Sequence, residues 1–396
     1  MRDLTFIEQF SSQYAWNQVS VKRKFHYKKQ LNKGMLEKHR LALTLGGVID
    51  RAIDDVEGLQ SSDYSTYQVF EKDNLVFKLI DLENIKTSRV GYVPRRGIMS
   101  PAYIRLEKTS KDAFSKFYYW FFYGVYINNI FNGMGGGVRQ SLTQSDLLEF
   151  PIPVPDIDTQ KSIANFLDRE TARIDKLIEK KERLLSLMSS RIEALVDKAV
   201  LDKNVPRIRF ENVVRRMQRF VLSSDHDEVV RLGLYNRGRG IFKKPSANED
   251  EIGDSNFFYV KAGDLIISGQ FAWEGAVAIA TQEEEGCVVS HRYPVYRGRD
   301  GVNTGYLLGF LRSKPGDFIL NEVSRGSAGR NRPLNTRHLG KEKIPIPSIE
   351  LQKEISQAID FEYRLKKKTK KSIELLKEFR SSLITEVVTG HLNIRK

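Results

Sequence analysis

The chain has one cysteine, Cys287, which excludes an intramolecular disulfide and any cysteine-rich zinc site. Such sparing use points to a reducing compartment, the cytoplasm. The start, Met1-Arg-Asp-Leu-Thr-Phe6, lacks the apolar core of a signal peptide. Six histidines are scattered without metal-ligand spacing. No Gly-x-x-x-x-Gly-Lys-Ser/Thr loop is present to cradle a nucleotide. No two prolines are adjacent, which removes the Asn-Pro-Pro-Tyr stretch that amino-methyltransferases carry. Glu179-Lys-Lys181 has the Glu-x-Lys spacing of some nucleases, but it sits among many Glu and Lys residues and reads as a solvated helix face. Long apolar runs are also missing. Phe117 to Val138 carries no charge, yet Asn128, Asn129, Asn132 and the glycines at 133 and 135–137 interrupt it. Its apolar part is shorter than the ~20 residues of a membrane span, so a buried helix stopped by those glycines is expected.

What is present is positive charge and repetition. A net charge of +14 favours a polyanionic partner, nucleic acid before membrane. At 396 residues, two or more domains are expected. One stretch occurs twice. Phe150-Pro-Ile-Pro-Val-Pro155 leads through Asp156-Ile-Asp-Thr-Gln-Lys161 into a charged helical segment ending near Val200. Ile344-Pro-Ile-Pro347 leads through Ser348-Ile-Glu-Leu-Gln-Lys353 into another, ending near Gly390. An offset of 192 takes Gln160-Lys161 to Gln352-Lys353 and Ser189-Ser190 to Ser381-Ser382. The same offset takes Ile192 to Ile384 and Val196 to Val388. A repeat of this span means two similar halves.

Along the first half, Val19 to Phe25 alternates like a strand and exposes Lys22 and Lys24. Leu41 to Leu45, closed by Gly46-Gly47, reads as strand and turn, and Asn74 to Ile80 and Ser100 to Leu106 as strands. Arg89 to Ile98 reads as a Gly/Pro-punctuated loop bearing Arg89, Arg95 and Arg96, and Asp112 to Phe131 as the apolar helix. The prolines from Pro151 force an extended segment with little backbone pairing, and Asp158 or Thr159 is the expected N-cap. Ile163, Leu167, Ile174, Leu177, Leu184, Met188 and Leu195 then follow a coiled-coil seam, widened by Ile178, Leu185 and Ile192 and interrupted by Glu170, Lys181 and Arg191. At 1.5 Å per residue this helix is roughly 60 Å long. Its partner seam is Leu351, Ile355, Ile359, Leu365, Ile373, Leu376, Phe379, Leu383 and Val387. Because the chain returns through a whole domain, the two helices are expected to pack antiparallel. The run Arg364 to Lys371 breaks the second stripe and reads as a solvated face ahead of a DNA-backbone stripe or a docking face for an acidic partner helix.

Residues 204–343 repeat the first domain loosely. Val229 to Gly233 stands where Leu41 to Leu45 stood. An offset of 190 takes Asp73–Lys78 to Gly263–Ser268, Ser100 to Ser290 and Tyr103 to Tyr293. Gly137 and Leu142 map onto Gly329 and Leu334. The order of variable domain, Pro-Ile-Pro segment and Gln-Lys helix, run through twice, resembles the specificity subunits of type I restriction-modification systems. Gly263-Asp-Leu-Ile-Ile-Ser268, Trp273-Glu-Gly-Ala276, Cys287-Val-Val-Ser290 and the closing Leu383-Ile-Thr-Glu-Val-Val-Thr-Gly390 strengthen the likeness. Two departures stand out. The family's Glu-Gln before the helix is Thr159-Gln160 and Leu351-Gln352 here, and the first domain follows the pattern less closely.

The resemblance implies an α+β chain with an internal pseudo-two-fold repeat. It places one target recognition domain at 1–149 and a central conserved region at 150–203. A second recognition domain at 204–343 and a C-terminal conserved region at 344–396 follow. Each recognition domain reads half of a bipartite double-stranded DNA target, and an antiparallel coiled coil sets the spacing. Two methyltransferase subunits dock on the helices and restriction subunits join them. S-adenosylmethionine, ATP and Mg belong to those partners, so this chain is expected to hold no cofactor or metal and to be non-catalytic.

Lysine and arginine supply phosphate affinity, while base edges supply specificity. Arginine and lysine suit guanine, and asparagine and glutamine suit adenine. Candidate DNA contacts in the first domain are Lys22, Lys24, Arg51, Lys78, Arg95, Arg96, Arg139 and Gln140. In the second they are Arg215, Arg216, Arg219, Arg237, Arg239, Lys243, Lys244, Arg292, Arg330, Asn331 and Arg332. The loops Gly133–Gln140 and Gly326–Arg332 lie in matching places, and glycine lets a backbone approach closely. The alternative is a coiled-coil scaffold whose duplicated domains bind protein. The net charge and the glycine–arginine loops weigh against it.

Overall fold

The computed structural model describes residues 14–52, 63–83, 87–134, 141–221, 229–247, 256–326 and 332–394. The chain divides into two compact units, Met1–Glu179 with Ser372–Lys396, and Lys180–Lys371.

The described residues of unit 1 form ten strands: β1 (Gln18–Ser20), β2 (Phe25–Tyr27), β3 (Arg40–Thr44), β4 (Gly47–Arg51), β5 (Gln68–Phe70), β6 (Leu75–Phe77), β7 (Val90–Tyr92), β8 (Gly97–Met99), β9 (Ile104–Lys108) and β10 (Pro151–Pro153). They pair in the orders β1-β10, β2-β9-β6-β7 and β4-β3-β8-β5. Unit 2 holds β11 (Arg207–Arg209), β12 (Val214–Met217), β13 (Val229–Leu234), β14 (Ile241–Ala247), β15 (Phe257–Tyr259), β16 (Leu265–Ile267), β17 (Val277–Ile279), β18 (Val288–Ser290), β19 (Val295–Gly298) and β20 (Lys343–Pro345). Their orders are β11-β20, β12-β19-β16-β17 and β14-β13-β18-β15. Every label rises by ten, so the two units share one plan. Even the two parallel pairs, β3 with β8 and β13 with β18, correspond. The remote anchors agree too. Leu142 donates its N–H to Leu79 O at 2.9 Å, and Leu334 to Gly269 O at 2.8 Å.

The shorter helices among the described residues of unit 1 are α1 (Ser115–Ile127), α2 (Ile130–Met134) and α3 (Gln144–Glu149). Next comes α4 (Ile157–Leu201), 45 residues long and divided between the units. Unit 2 adds the single turn α5 (Phe210–Val213), then α6 (Thr304–Arg312), α7 (Lys314–Glu322) and α8 (Thr336–Lys341). Last is α9 (Ile349–Thr389), 41 residues and likewise divided. Within unit 1, α1 is buried on nearly every face. Phe117, Tyr118, Phe121, Phe122 and Val125 are all sealed, and Phe77 meets Phe122 edge-on with ring centres 4.9 Å apart. Full burial of such a ring contributes about 1.5–3 kcal/mol. No described helix is long and apolar enough to cross a membrane.

Each unit contains an antiparallel pair made from one part of α4 and one part of α9. In unit 1, Arg380 pairs with Asp175 at 3.0 Å. In unit 2, Ser189 meets Glu362 at 2.7 Å and Arg191 meets Glu354 at 3.8 Å, so the partner number falls as the first rises. The buried stripe runs through Ile163, Leu167, Ile174, Met188, Ile192 and Val196. Of the two expected seams, Leu177, Leu184 and Phe379 are exposed. The partner stripe on α9 includes Ile355, Ile359, Leu383, Ile384, Val387 and Val388. Domain helices complete each pair. Gly309 of α6 sits so close to α9 that a Cβ there would lie 2.8 Å from Ile355 and 2.9 Å from Ile359.

Several expected elements take another form. Val19 to Phe25 is two strands of different sheets, parted by a 3-10 turn over Val21–Arg23. Val21 is sealed there, with its N–H on Phe150 O at 3.0 Å. Arg89 to Ile98 is not a loop throughout, since β7 and the start of β8 lie within it. Arg89 is itself buried, donating to Asp81 O at 2.8 Å and Leu82 O at 3.0 Å. Ser100 begins a turn, and the strand starts only at Ile104. The apolar helix splits at Asn128-Asn129, where Asn129 adopts φ +58°, ahead of the glycines. Glycines 135–137 lie outside the described residues. The proline segment is paired after all: β10 lies against β1, and Val154 adds a hydrogen bond to Asn17 O at 2.9 Å. The cap of α4 is Asp156, which accepts from Thr159 N–H at 2.9 Å and from its hydroxyl at 2.6 Å.

The repeated glutamine joins these parts. Gln160, fully buried, accepts the Phe114 N–H at 2.8 Å and donates to Asp112 O at 2.9 Å and Pro155 O at 2.8 Å. Gln352 accepts the Asn303 N–H at 2.8 Å and donates to Gly301 O at 3.2 Å and Pro347 O at 2.8 Å. Each amide thus ties the start of a domain helix to the proline segment and to the first turn of a long helix. The hydroxyls of Tyr118 and Tyr306 donate to Pro153 O and Pro345 O in the same two places.

Gln160→Ala and Gln352→Ala should each leave buried backbone groups unpaired and lower unfolding free energy by roughly 2–4 kcal/mol. Urea denaturation of the two variants tests this, with near-equal losses expected from the shared geometry. A second outcome concerns pH. Burial pushes the Glu362 carboxyl up, but Arg312, Lys366 and the Ser189 hydroxyl outweigh it and hold the group below the ordinary glutamate range. A depressed acid contributes stability above its unfolded pKa and loses it as pH falls through the folded pKa. The stability gap between the native chain and Glu362→Gln should therefore be widest at neutral pH. It should close below the ordinary glutamate pKa of about 4.3.

Candidate nucleic-acid interface

In unit 1 most of the candidate cations already hold a partner. Lys22 reaches Glu149 at 2.6 Å and Lys24 reaches Asp112 at 2.6 Å. Lys78 is half-buried and donates to Thr87 Oγ1 at 2.9 Å; burial, then the charge of Arg89, lowers its pKa. Arg95 is paired with Asp50, and Arg96 bridges Glu37 and Glu71, each at 3.0 Å. The Glu37 carboxyl is held below its usual range by the His39 N–H first, with Arg96 adding to the effect. Arg51 ends β4, opposite Arg40. Arg139 and Gln140 lie outside the described residues.

Unit 2 divides its candidates differently. Two face inward. Arg219 binds the sealed Asp264 at 2.6 Å alongside Arg297 at 2.5 Å. Arg332 donates to Ser324 O at 3.0 Å and Asn321 O at 3.1 Å, with its guanidinium 4.9 Å from the Trp273 ring centre. Arg239 is exposed but folds back onto Asn236 O and the Tyr235 ring. The remaining six, Arg215, Arg216, Arg237, Lys243, Lys244 and Arg292, are exposed. Among the described residues none of their side chains has a hydrogen bond or ion pair. Arg330 and Asn331 lie outside the described residues.

Two of the six flank a loop that sequence reasoning passed over. Gly269 donates its N–H to Arg292 O at 2.7 Å, and a Cβ on it would sit 2.4 Å from that oxygen. Arg237, at φ +57°, donates to Glu274 O at 2.8 Å, and Gly238 donates to Gly275 O at 2.7 Å. The Ser268 hydroxyl accepts the Phe271 N–H at 3.1 Å, and the Trp273 indole donates to Gln270 O at 3.2 Å. The loop is thereby pinned from several sides, with Gln270 and Phe271 exposed at its tip between two free arginines. An exposed phenylalanine and an amide beside unpaired guanidiniums can stack on and hydrogen-bond to bases. The visible signal was Trp273-Glu-Gly-Ala276. Its neighbours Gln270 and Phe271 were overlooked because an isolated aromatic reads as core.

A family model described as type I restriction modification DNA specificity domain matches the chain twice, at residues 48–186 and 223–375. The chain belongs to this family. Solved structures with the same fold include the HsdS subunit from Thermoanaerobacter tengcongensis, at 16% identity and TM-score 0.50, covering 95% of this chain and 97% of that one. The S subunit of a type I restriction-modification system from M. genitalium matches at 14% identity and TM-score 0.51, covering 94% and 96%. A chain from a study of complex assembly and conformational transition of the type I R-M system matches at 15% and TM-score 0.53, covering 95% and 98%. At such identities the likeness concerns the fold.

Within this pair of specificity domains, then, the candidate cations are mostly paired in unit 1, whereas six of those in unit 2 have no side-chain hydrogen bond or ion pair among the described residues. A lysine already bound to a carboxylate must exchange partners to reach a phosphate, whereas a free arginine only sheds counterions. Arg215→Ala, Lys243→Ala and Lys244→Ala should each reduce the slope of log affinity against log salt by about 0.9 on duplex DNA. Lys22→Ala and Lys24→Ala should change it far less. Fluorescence anisotropy across a salt series measures both sets.

Proposed function

We propose that the chain is the DNA-binding specificity subunit of a type I restriction-modification complex, with each specificity domain reading one half of a bipartite double-stranded target. The observation that carries this reading is the repeated strand order, on which the candidate cations are paired differently in the two units. A shared frame offers two equivalent mounts, and different loops on each mount suit different base sequences. The long helices set the spacing between the half-sites. They also dock two methyltransferase subunits, to which restriction subunits are added. Exposed apolar side chains on the helices support such docking: Leu177, Leu375 and Phe379 in unit 1, Leu184, Leu187 and Phe361 in unit 2. S-adenosylmethionine, ATP and Mg act in the partner subunits, and this chain contributes recognition without catalysis, in the cytoplasm.

Exchange of residues 1–149 for the corresponding domain of another specificity subunit tests the assignment. Methylome sequencing of cells carrying the exchanged chain with its methyltransferase partner should show one half of the target altered and the other kept. A change in both halves, or in neither, refutes the two-reader model.

A further inference from the structure

Two adjacent arginines in unit 1, Arg95 and Arg96, sit between β7 and β8 and are held in different ways. Arg96 spends two edges of its guanidinium: Nε donates to Glu37 at 3.0 Å and Nη1 meets Glu71 at 3.0 Å. Arg95 is bound on one side only. Its Nε donates to Asp50 Oδ1 at 2.9 Å, and Nη2 donates to Asp50 Oδ2. Asp50 is in turn held by His39 Nε2 at 2.6 Å, and the His39 N–H donates to Glu37 at 2.9 Å. The loop is fixed from beneath as well. The Ile98 N–H bonds His39 O at 2.8 Å, and a Cβ on Gly97 would lie 2.8 Å from that oxygen and 2.7 Å from Leu41.

The geometry leaves Arg95 half exposed, with Nη1 and the outer hydrogen of Nη2 pointing away from Asp50 and unpartnered among the described residues. Those two parallel N–H groups form a fork that matches the O6 and N7 acceptors of guanine in the major groove. Adenine puts a donor where guanine has O6, so the fork rejects it. The neighbouring carboxylate decides against the other role of an arginine. Asp50 compensates the positive charge and repels a phosphate, but leaves attraction to the neutral acceptors of a base. Held at one edge, the side chain also loses less rotamer freedom on binding.

We propose that Arg95 reads one guanine in the half-site of the first specificity domain, with Asp50 as its positioning residue. This rests on the DNA-reading role given above.

The test uses the chain assembled with its methyltransferase subunits. The native target is first defined by methylome sequencing, and binding is then measured on duplexes altered one base pair at a time. Arg95→Ala should relax one guanine position in one half-site, with discrimination there falling roughly 5- to 150-fold. Arg95→Lys, which keeps the charge but loses the fork, should relax the same position. Asp50→Asn should relax it by a smaller factor and strengthen binding to unrelated sequence. Thermal unfolding of Arg95→Lys checks that the domain is intact. Equal loss of affinity on every duplex would make Arg95 a phosphate contact and overturn the proposal. Retention of every base preference in both Arg95 variants would overturn it as well. A native complex with no bipartite preference would instead remove the functional reading, and this inference with it.

Discussion

A buried side-chain amide, used twice, is the constraint on which this structure depends. Gln160 and Gln352 each bond three backbone groups, one of them a buried proline carbonyl. An amide is the side chain that suits this site, because it both donates twice and accepts. A glutamate in its place would meet two carbonyls with no proton to offer. Around each glutamine the proline segment contributes carbonyls rather than N–H groups, which is what proline has to give. The tyrosine hydroxyls on Pro153 and Pro345 use the same asymmetry.

Because each clamp fixes the root of a domain, the distal loops are free to differ. The two domains differ in how their candidate cations are paired. The sealed Asp264 with its two arginines in unit 2 stands where Asn74, an amide holding the Glu71 N–H, stands in unit 1. A buried carboxylate demands paired cations, whereas an amide needs only hydrogen bonds. Unit 2 therefore gathers two arginines round a sealed acid, and six of its candidate cations have no side-chain hydrogen bond or ion pair among the described residues. In unit 1, Lys22, Lys24, Arg95 and Arg96 are tied to carboxylates. Ion pairs of that exposed kind add little to stability, so their consequence lies in how the surface presents charge to a ligand.

Much of the frame was legible in the residues. The 192-residue offset in the Gln-Lys helices and the strand anchors near Leu75 and Leu265 show directly in the strand orders. Long periodic helices and the Leu41–Gly47 hairpin also appear where periodicity and glycine place them. Short strands were harder to see. Three-residue elements such as β7 and β8 carry too little alternation to register, and Gly91, Pro94 and Gly97 read as loop punctuation. The helix seam was misjudged for a related reason. Domain helices and the opposite long helix both cover α4, so its buried stripe follows tertiary neighbours rather than a strict two-stranded heptad.

By itself the sequence determined the duplication, the helix pair and a net positive charge of the kind that favours polyanions. These rest on periodicity, composition and internal likeness, all of which are local or additive along the chain. Only the tertiary structure decided which cations are free. Arg95 answers to Asp50 across 45 residues, and Lys22 to Glu149 across 127. Arg215 and Lys244 have no such counterpart among the described residues. The availability of a charge depends on the distance to its nearest opposite, and that distance exists only once the chain has folded.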